Sequence, residues 1–69
     1  TGYKGVYFDK RRDKYYARLQ SYGKTINLGY FDSPVDAAKA YDVAAIKSAG
    51  EFAYTNFPRE YYENEVENQ

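Results

Sequence analysis

Alternate residues of the segment KYYARLQ, residues 14–20, carry side chains of two different kinds. Tyr15, Ala17 and Leu19 fall on one side, and this alternation is typical of a half-buried β-strand. The other side carries two cations, an aromatic ring and an amide: Lys14, Arg18, Tyr16 and Gln20. The cations attract anions, the guanidinium and the amide offer paired hydrogen-bonding atoms, and the ring offers a flat apolar surface. A strand that only faces water has no need of this set, so the face is a candidate binding surface.

Composition narrows the chemistry that this surface can support. The chain has 69 residues, none of which is cysteine or histidine. This excludes thiolate or imidazole zinc ligands, thiol nucleophiles and imidazole bases within the chain. The alternating Glu63, Glu65 and Glu67 are more typical of a solvated chain end than of a metal site. We therefore predict no catalytic residues, no metal and no cofactor.

Length and hydropathy predict one small globular domain. Hydrophobic residues make up 43% of the chain and charged residues 29%, a balance that argues against general disorder. No apolar run approaches the length of a membrane span and no signal-peptide pattern opens the chain, so we predict no membrane partner. Because the first residue is Thr rather than Met, we expect the chain to be a piece of a longer protein.

Charge is distributed unevenly along a chain whose net charge is zero. Residues 1–30 hold seven cations and two anions, whereas residues 31–69 hold three cations and eight anions. Such asymmetry between halves indicates a charged partner, and it removes the objection that a neutral chain cannot bind nucleic acid. The alternative is that the two halves simply attract each other.

The first half predicts three β-strands: residues 3–9, 14–20 and 24–31. In the first and third strands the inward residues are predicted to include Val6, Phe8, Ile26 and Leu28. Gly5 permits a bulge or a close approach of backbone, and Gly29 indicates a bend near the end of the third strand. The short segments between the strands, KRRD and Tyr22-Gly23, are predicted to be turns.

The second half predicts one helix and a closing segment. Ser33 is the expected N-cap, Pro34 the first helical residue and Gly50 the C-terminal stop. The helix is rich in alanine, whose small side chain lets a helix pack closely against large rings on a sheet. The rings expected opposite it are Tyr3, Phe8, Tyr15 and Phe31.

The closing segment EFAYTNFP is expected to fold back along the core, with Phe52 and Phe57 as anchors. Residues 1–58 would then form the domain, and residues 59–69 a polar, acidic tail or linker. The predicted fold class is α+β, a three-stranded antiparallel sheet packed on one α-helix. One face of that sheet stays open, and it is the face that carries Arg18 and Gln20.

Four blocks, in order over residues 3–58, carry a resemblance to a known family: YKGV, LGYFD, AKAYDVAA and NFP. Together they resemble the APETALA2/ethylene-response-factor DNA-binding domain. The resemblance implies that the sheet lies in the DNA major groove with the helix packed behind it. It also implies structural roles for Asp42 and Asn56, whose side chains would tie the helix and the closing segment to the backbone without touching DNA.

The chain departs from the plant members of this family on the open face. It has no tryptophan, and Tyr7 and Asp9 stand where those factors usually carry arginine. Arg12 and Asn27 align most nearly with their two DNA-facing tryptophans. The opening, the short YGK turn and the LGYFD ending look more like the domains attached to HNH homing endonucleases of phages, cyanobacteria and protists. We expect the family fold to transfer to this chain, and the plant target sequence not to.

With this resemblance, the outward side chains become candidate readers of base edges. Arg18 suits guanine, and Gln20 and Asn27 suit adenine. Tyr7 and Tyr16 suit sugars or a thymine methyl. The candidate base contacts are Arg18, Gln20, Asn27, Tyr7, Tyr16 and Arg12. The candidate phosphate contacts, which position without specifying, are Lys4, Lys10, Arg11, Lys14, Lys24 and Thr25.

Each assignment has a structural alternative. Arg18 could be a solvated cation paired with a neighbouring carboxylate, and the basic turn could be merely solvated. Asn27 could bond its own backbone, Gln20 could simply face water, and Tyr7 and Tyr16 could only support the sheet.

The leading functional hypothesis is a sequence-specific double-stranded DNA-binding domain. It would serve a larger transcription factor or homing endonuclease, would have no catalysis of its own, and would bind as a monomer without a small-molecule ligand. Its place would be intracellular and DNA-associated, in the nucleus if the parent is eukaryotic. The alternative is a protein-interaction module that uses the same exposed sheet face.

Overall fold

Three β-strands precede one long helix along the chain. The computed structural model describes residues 2–62. The elements are β1 Val6–Asp9, β2 Lys14–Ser21, β3 Lys24–Phe31 and α1 Pro34–Ala49, followed by a short 3₁₀ helix, Gly50–Phe52. The strands pair antiparallel in the order β1-β2-β3, and α1 packs across one face of the sheet. The predicted α+β fold is therefore confirmed. Within the described residues, no helix combines the length and the apolar character needed to cross a membrane.

The first strand is shorter than predicted. Its pairing begins at Val6 rather than at residue 3, because the chain turns at Gly5, whose φ is +70°. The Gly5 carbonyl still accepts a hydrogen bond from the Arg18 amide at 2.9 Å. The Tyr41 ring of α1 lies where a Gly5 side chain would be. The close backbone approach expected at Gly5 is thus confirmed.

A bulge in β3 reverses the alternation of its side chains. Tyr16 lies opposite Tyr30 and Arg18 opposite Asn27, so two steps along β2 match three steps along β3. The irregularity is centred on Gly29, with φ +109°, and the Asn27 side-chain oxygen accepts a hydrogen bond from the Gly29 amide at 3.2 Å. The bend expected at Gly29 is this bulge, and its consequence is that Tyr30 lies on the open face.

Small residues of the helix pack against the covered face of the sheet. The buried cluster combines Val6 and Ala17 of the sheet with Ala37 and Ala38 of α1. Partly buried side chains surround it: Tyr3, Tyr15, Leu28, Phe31, Tyr41 and Phe57. The predicted packing of alanines against rings is confirmed for Tyr3, Tyr15 and Phe31.

Three predicted core residues are instead exposed. Phe8 and Ile26 are each 44% exposed, at positions of the edge strands that α1 covers less than it covers Val6 and Leu28. Phe52 is 79% exposed, so its prediction as an anchor is wrong. The chain turns at Gly50, with φ +59°, into the 3₁₀ helix, and of the two predicted anchors only Phe57 packs against the core.

Both ends of α1 follow the predicted capping. The Ser33 hydroxyl accepts a hydrogen bond from the Val35 amide at 3.2 Å, and Pro34 occupies the first turn. At the other end the Gly50 amide donates to the Ile46 carbonyl. These contacts satisfy backbone groups that the helix itself leaves unpaired.

The Asp42 carboxylate is a buried hub that joins α1 to the closing segment. It is fully buried and accepts hydrogen bonds from the Asn56 amide at 2.7 Å and the Phe57 amide at 2.9 Å. The Asn56 side chain and the Tyr62 hydroxyl donate to it as well. Asn56 in turn bonds both the amide and the carbonyl of Lys4. The structural roles predicted for Asp42 and Asn56 are confirmed.

Packing continues past Pro58, the predicted end of the domain. Tyr62 is only 2% exposed and donates its hydroxyl to Asp42. The rest of the predicted tail, including Glu63, Glu65 and Glu67, lies outside the described residues.

Candidate nucleic-acid interface

Three tyrosines form a row across the open face of the sheet, one from each strand: Tyr7, Tyr16 and Tyr30. The ring centroids of Tyr7 and Tyr16 are 5.5 Å apart, and those of Tyr16 and Tyr30 are 5.9 Å apart. Tyr7 is 49% exposed and Tyr30 43%. The tyrosine row thus combines contacts between rings with a broad accessible apolar surface.

Two arginines lie against this tyrosine row. The guanidinium carbon of Arg18 is 5.1 Å from the ring centroid of Tyr16, and that of Arg12 is 4.6 Å from the ring centroid of Tyr30. These distances are within the range of cation–π contacts. Arg18 has no ion pair or side-chain hydrogen bond with residues 2–62, so the alternative of a neighbouring carboxylate finds no partner there. Its donors are available to a ligand.

Arg12 is held by the turn between β1 and β2. Its guanidinium makes an ion pair with Asp9 at 3.0 Å, and the Asp9 carboxylate also accepts the amides of Arg11 at 3.0 Å and Arg12 at 3.3 Å. Desolvation raises the pKa of the Asp9 carboxyl, but the hydrogen bonds from Arg12 and Arg11 outweigh it and hold that pKa below its ordinary value. Asp9 therefore organises the basic turn.

The lowered pKa of Asp9 predicts acid sensitivity of this turn. The ionised carboxylate stabilises the folded turn above the ordinary carboxyl pKa, about 3.9, and this contribution is lost as the pH falls through the lower folded value. We expect the amide signals of Arg11 and Arg12 in NMR spectra to shift together over this acidic range. In the Asp9→Asn variant the amide signals of Arg11 and Arg12 should not shift over this acidic range. An unchanged titration would contradict the role of the Asp9 carboxylate in the turn.

The part of the open face beside the tyrosine row is polar. Arg18 lies opposite Asn27, and Gln20 lies opposite Thr25. A shallow depression of about 350 Å³ opens here, lined by Gly5, Tyr7, Arg18, Gln20, Thr25 and Tyr41. The oxygen of the Asn27 side chain accepts a hydrogen bond from the Gly29 amide in the bulge, as the backbone-bonding alternative expected, and its amide nitrogen takes no part in that bond.

Cations lie at both ends of the open face. Lys10 and Arg11 are exposed in the turn before β2, and Lys24 is exposed as the first residue of β3, directly after the turn that follows β2. The eight residues of β2 span about 25 Å at the usual rise of a strand. Lys14 differs from these cations, because it forms an ion pair with Asp32. Lys4 is exposed just before β1, where its backbone is fixed by Asn56.

The structure thus brings most of the predicted site residues onto one face or its two ends. Tyr30 is a member of the face that the sequence reasoning missed, since strict alternation from Asn27 places it inward. The signal that could have found it was Gly29, which permits a bulge and so a reversal of the pattern. Among the described residues, no cluster of three acidic side chains is suited to a metal ion.

The fold and the open face together define a small domain in which a three-stranded sheet packs on one helix and presents an aromatic and cationic surface. Residues 1–51 match the AP2 domain family, and the chain belongs to this family. It is 41% identical over 64 residues to APETALA2-like protein 2 of Oryza sativa subsp. japonica, covering 93% of the chain and 15% of that relative.

Two Arabidopsis thaliana proteins match a shorter stretch of the chain. The AP2-like ethylene-responsive transcription factor PLT2 is 49% identical over 45 residues, covering 65% of the chain and 8% of that protein. The ethylene-responsive transcription factor WRI1 is 47% identical over 45 residues, covering 65% of the chain and 10% of that protein. The chain therefore spans only a small part of the length of these relatives.

Proposed function

We propose that this domain binds double-stranded DNA and reads its sequence in the major groove with the open face of the sheet. The observation that carries the proposal is the tyrosine row with Arg12 and Arg18 against it. Membership of the AP2 domain family, with relatives named as transcription factors, supports the same function. Because those relatives are named as transcription factors and not as enzymes, we propose no catalytic role for the domain.

The dimensions of the sheet suit the major groove. Neighbouring strands lie about 4.8 Å apart, so the axes of β1 and β3 are separated by about 10 Å. The major groove is about 12 Å wide. A sheet inserted in it would direct the central strand at the base edges and the two edge strands toward the phosphates on either side.

Charge supports the same orientation. The exposed cations beyond the two ends of β2, Lys10, Arg11 and Lys24, would meet phosphates along the groove and release counterions. The acidic residues of α1 lie behind the sheet, on the side away from the proposed DNA. Salt screens their repulsion of the phosphates over distances beyond about 10 Å. Arg18 would then place two parallel donors on guanine O6 and N7.

The parent protein is proposed to be a transcription regulator, following the names of the relatives, and its place would be the nucleus if the source is eukaryotic. The resemblance to domains of HNH homing endonucleases stays a prediction. Monomeric binding and the absence of a small-molecule ligand are likewise proposed for this domain.

Selection from a pool of random duplexes at about 0.1 M salt tests the proposal, with the chain compared with Arg18→Ala and Lys47→Ala. Lys47 is a suitable control because it lies in the last turn of α1, on the covered side of the sheet. We expect an enriched motif in which Arg18→Ala loses about 1–3 kcal/mol of preference for one guanine. Lys47→Ala should leave the motif unchanged, and affinity should fall as salt rises.

An enriched motif unaltered by Arg18→Ala would retain DNA binding but contradict the role of Arg18. Failure to enrich any motif would contradict sequence-specific binding. A protein complex that is insensitive to both DNA and salt would favour the alternative, in which the open face binds a partner protein.

A further inference from the structure

We propose that the Arg18–Tyr16 pair recognises a pyrimidine that carries a methyl group at C5 beside a guanine. The proposed ligand is therefore a step of duplex DNA in which thymine or 5-methylcytosine lies next to guanine, on either its 5′ or its 3′ side. This inference rests on the proposed function and specifies what one part of the face reads.

The first step of the argument is the geometry of the pair. The Arg18 guanidinium lies 5.1 Å from the Tyr16 ring centroid, so ring and guanidinium occupy neighbouring positions along the face. Arg18 makes no ion pair with residues 2–62. Its donor edge is therefore free for guanine, while Tyr16 limits the directions in which that edge can point.

The second step is the geometry of DNA. Successive bases along a strand are about 3.4 Å apart. If Arg18 binds guanine O6 and N7, the ring beside it covers the groove edge of an adjacent base pair. At that edge a pyrimidine presents its C5 position, which carries a methyl group in thymine and in 5-methylcytosine. The ring and the methyl group are both apolar, so their contact removes both from water.

The tyrosine row makes this apolar surface wider than one ring. Tyr7 and Tyr30 flank Tyr16 with centroids 5.5 Å and 5.9 Å away, which restricts the freedom of the Tyr16 ring. Arg12 against Tyr30 repeats the arrangement of cation and ring. Arg12 is already paired with Asp9, so we assign the reading of the step to Arg18 and Tyr16.

The test compares four bases at each of two positions of the selected duplex. These positions are the two neighbours, on the 5′ and the 3′ side, of the guanine whose preference Arg18→Ala abolishes. Thymine is compared with uracil opposite adenine, and 5-methylcytosine with cytosine opposite guanine, so that each pair differs only by the methyl group. We expect the methylated member of each pair to bind about fourfold more tightly at one of these neighbours, with no such effect at pyrimidines farther from the guanine.

Three variants assign the effect to the ring. Tyr16→Phe keeps the ring and should keep the methyl preference, whereas Tyr16→Ala should lose it. Tyr54→Ala is the matched control, because Tyr54 is 79% exposed in the closing segment and its ring does not belong to the tyrosine row. It should retain the preference.

The outcomes separate the two proposals. Equal affinities for the methylated and unmethylated duplexes at both neighbours would overturn this inference while the proposed function stands. A methyl preference that persists in Tyr16→Ala would also overturn it, since the ring would not be the contact. A preference for thymine over uracil without one for 5-methylcytosine would overturn it too, since contact with the methyl group should favour both methylated bases. Without any enriched motif, both the function and the inference would fail.

Discussion

Asp42→Asn is expected to lower the free energy of unfolding by about 3 kcal/mol. The Asp42 carboxylate is fully buried and accepts the amides of Asn56 and Phe57, together with the Tyr62 hydroxyl. An asparagine has one acceptor oxygen, and its NH₂ group would face donors that can no longer be satisfied. The measurement is urea unfolding of the 69-residue chain, followed by circular dichroism.

Asp36→Asn is the matched control for this prediction. Asp36 is exposed in the first turn of α1, where a carboxylate contributes only a few tenths of a kcal/mol, up to about 1, through the helix dipole. A small domain has only a few kcal/mol of stability to lose, so we expect Asp42→Asn to be partly unfolded without urea. Equal effects of the two substitutions would contradict the role of Asp42 as a hub.

The elements of the fold were predictable because their signals are local. Ser33, Pro34 and Gly50 mark the two ends of α1 within a few residues of each boundary. The alternation of residues 14–20 persists in β2, where Ala17 and Leu19 are buried and Arg18 and Gln20 exposed. A central strand keeps its pattern because both of its edges are paired and one of its faces is covered.

Features that depend on pairing between distant segments were harder to predict. The bulge in β3 is a mismatch of register with β2, and only this mismatch directs Tyr30 to the open face. The exposure of Phe8 likewise depends on where α1 crosses the sheet, since Val6 of the same strand is buried. Phe52 and Phe57 are equally hydrophobic, so composition alone does not show which of them packs against the core. The difference arises because Asp42 binds the amides of Asn56 and Phe57 and so fixes that part of the closing segment.

The candidate site was predictable as a list of side chains but not as an arrangement. Arg18 and Tyr16 were both predicted to face outward, and the sequence does not show that one lies against the other. Arg12 was predicted as a candidate base contact, and its actual position depends on Asp9 and on Tyr30. Contacts of this kind convert separate outward residues into a surface with a defined order of cation and ring.

Gly5 connects the core to this surface, and Gly5→Ala is expected to lower the free energy of unfolding by about 3 kcal/mol. An added Cβ would lie 2.3 Å from the Tyr41 ring and 2.8 Å from the Arg18 carbonyl oxygen, at a φ of +70°. The oxygen belongs to the backbone of β2 and cannot move without disturbing that strand, whereas the Tyr41 ring of α1 would have to rotate out of its packing against the core. Thermal unfolding of the variant measures the cost.

Gly23→Ala separates the two parts of that cost. Gly23 has φ +78° and open space around its Cα, so an alanine there should cost only the backbone strain, about 1 kcal/mol. Equal costs at the two positions would contradict the steric role of Gly5. Because the Gly5 carbonyl bonds the Arg18 amide, the folded fraction of Gly5→Ala should also lose preference for the guanine that Arg18 reads, whereas Gly23→Ala should keep it. A destabilised variant with unchanged preference would show that the position of Arg18 is set within β2 and β3 alone.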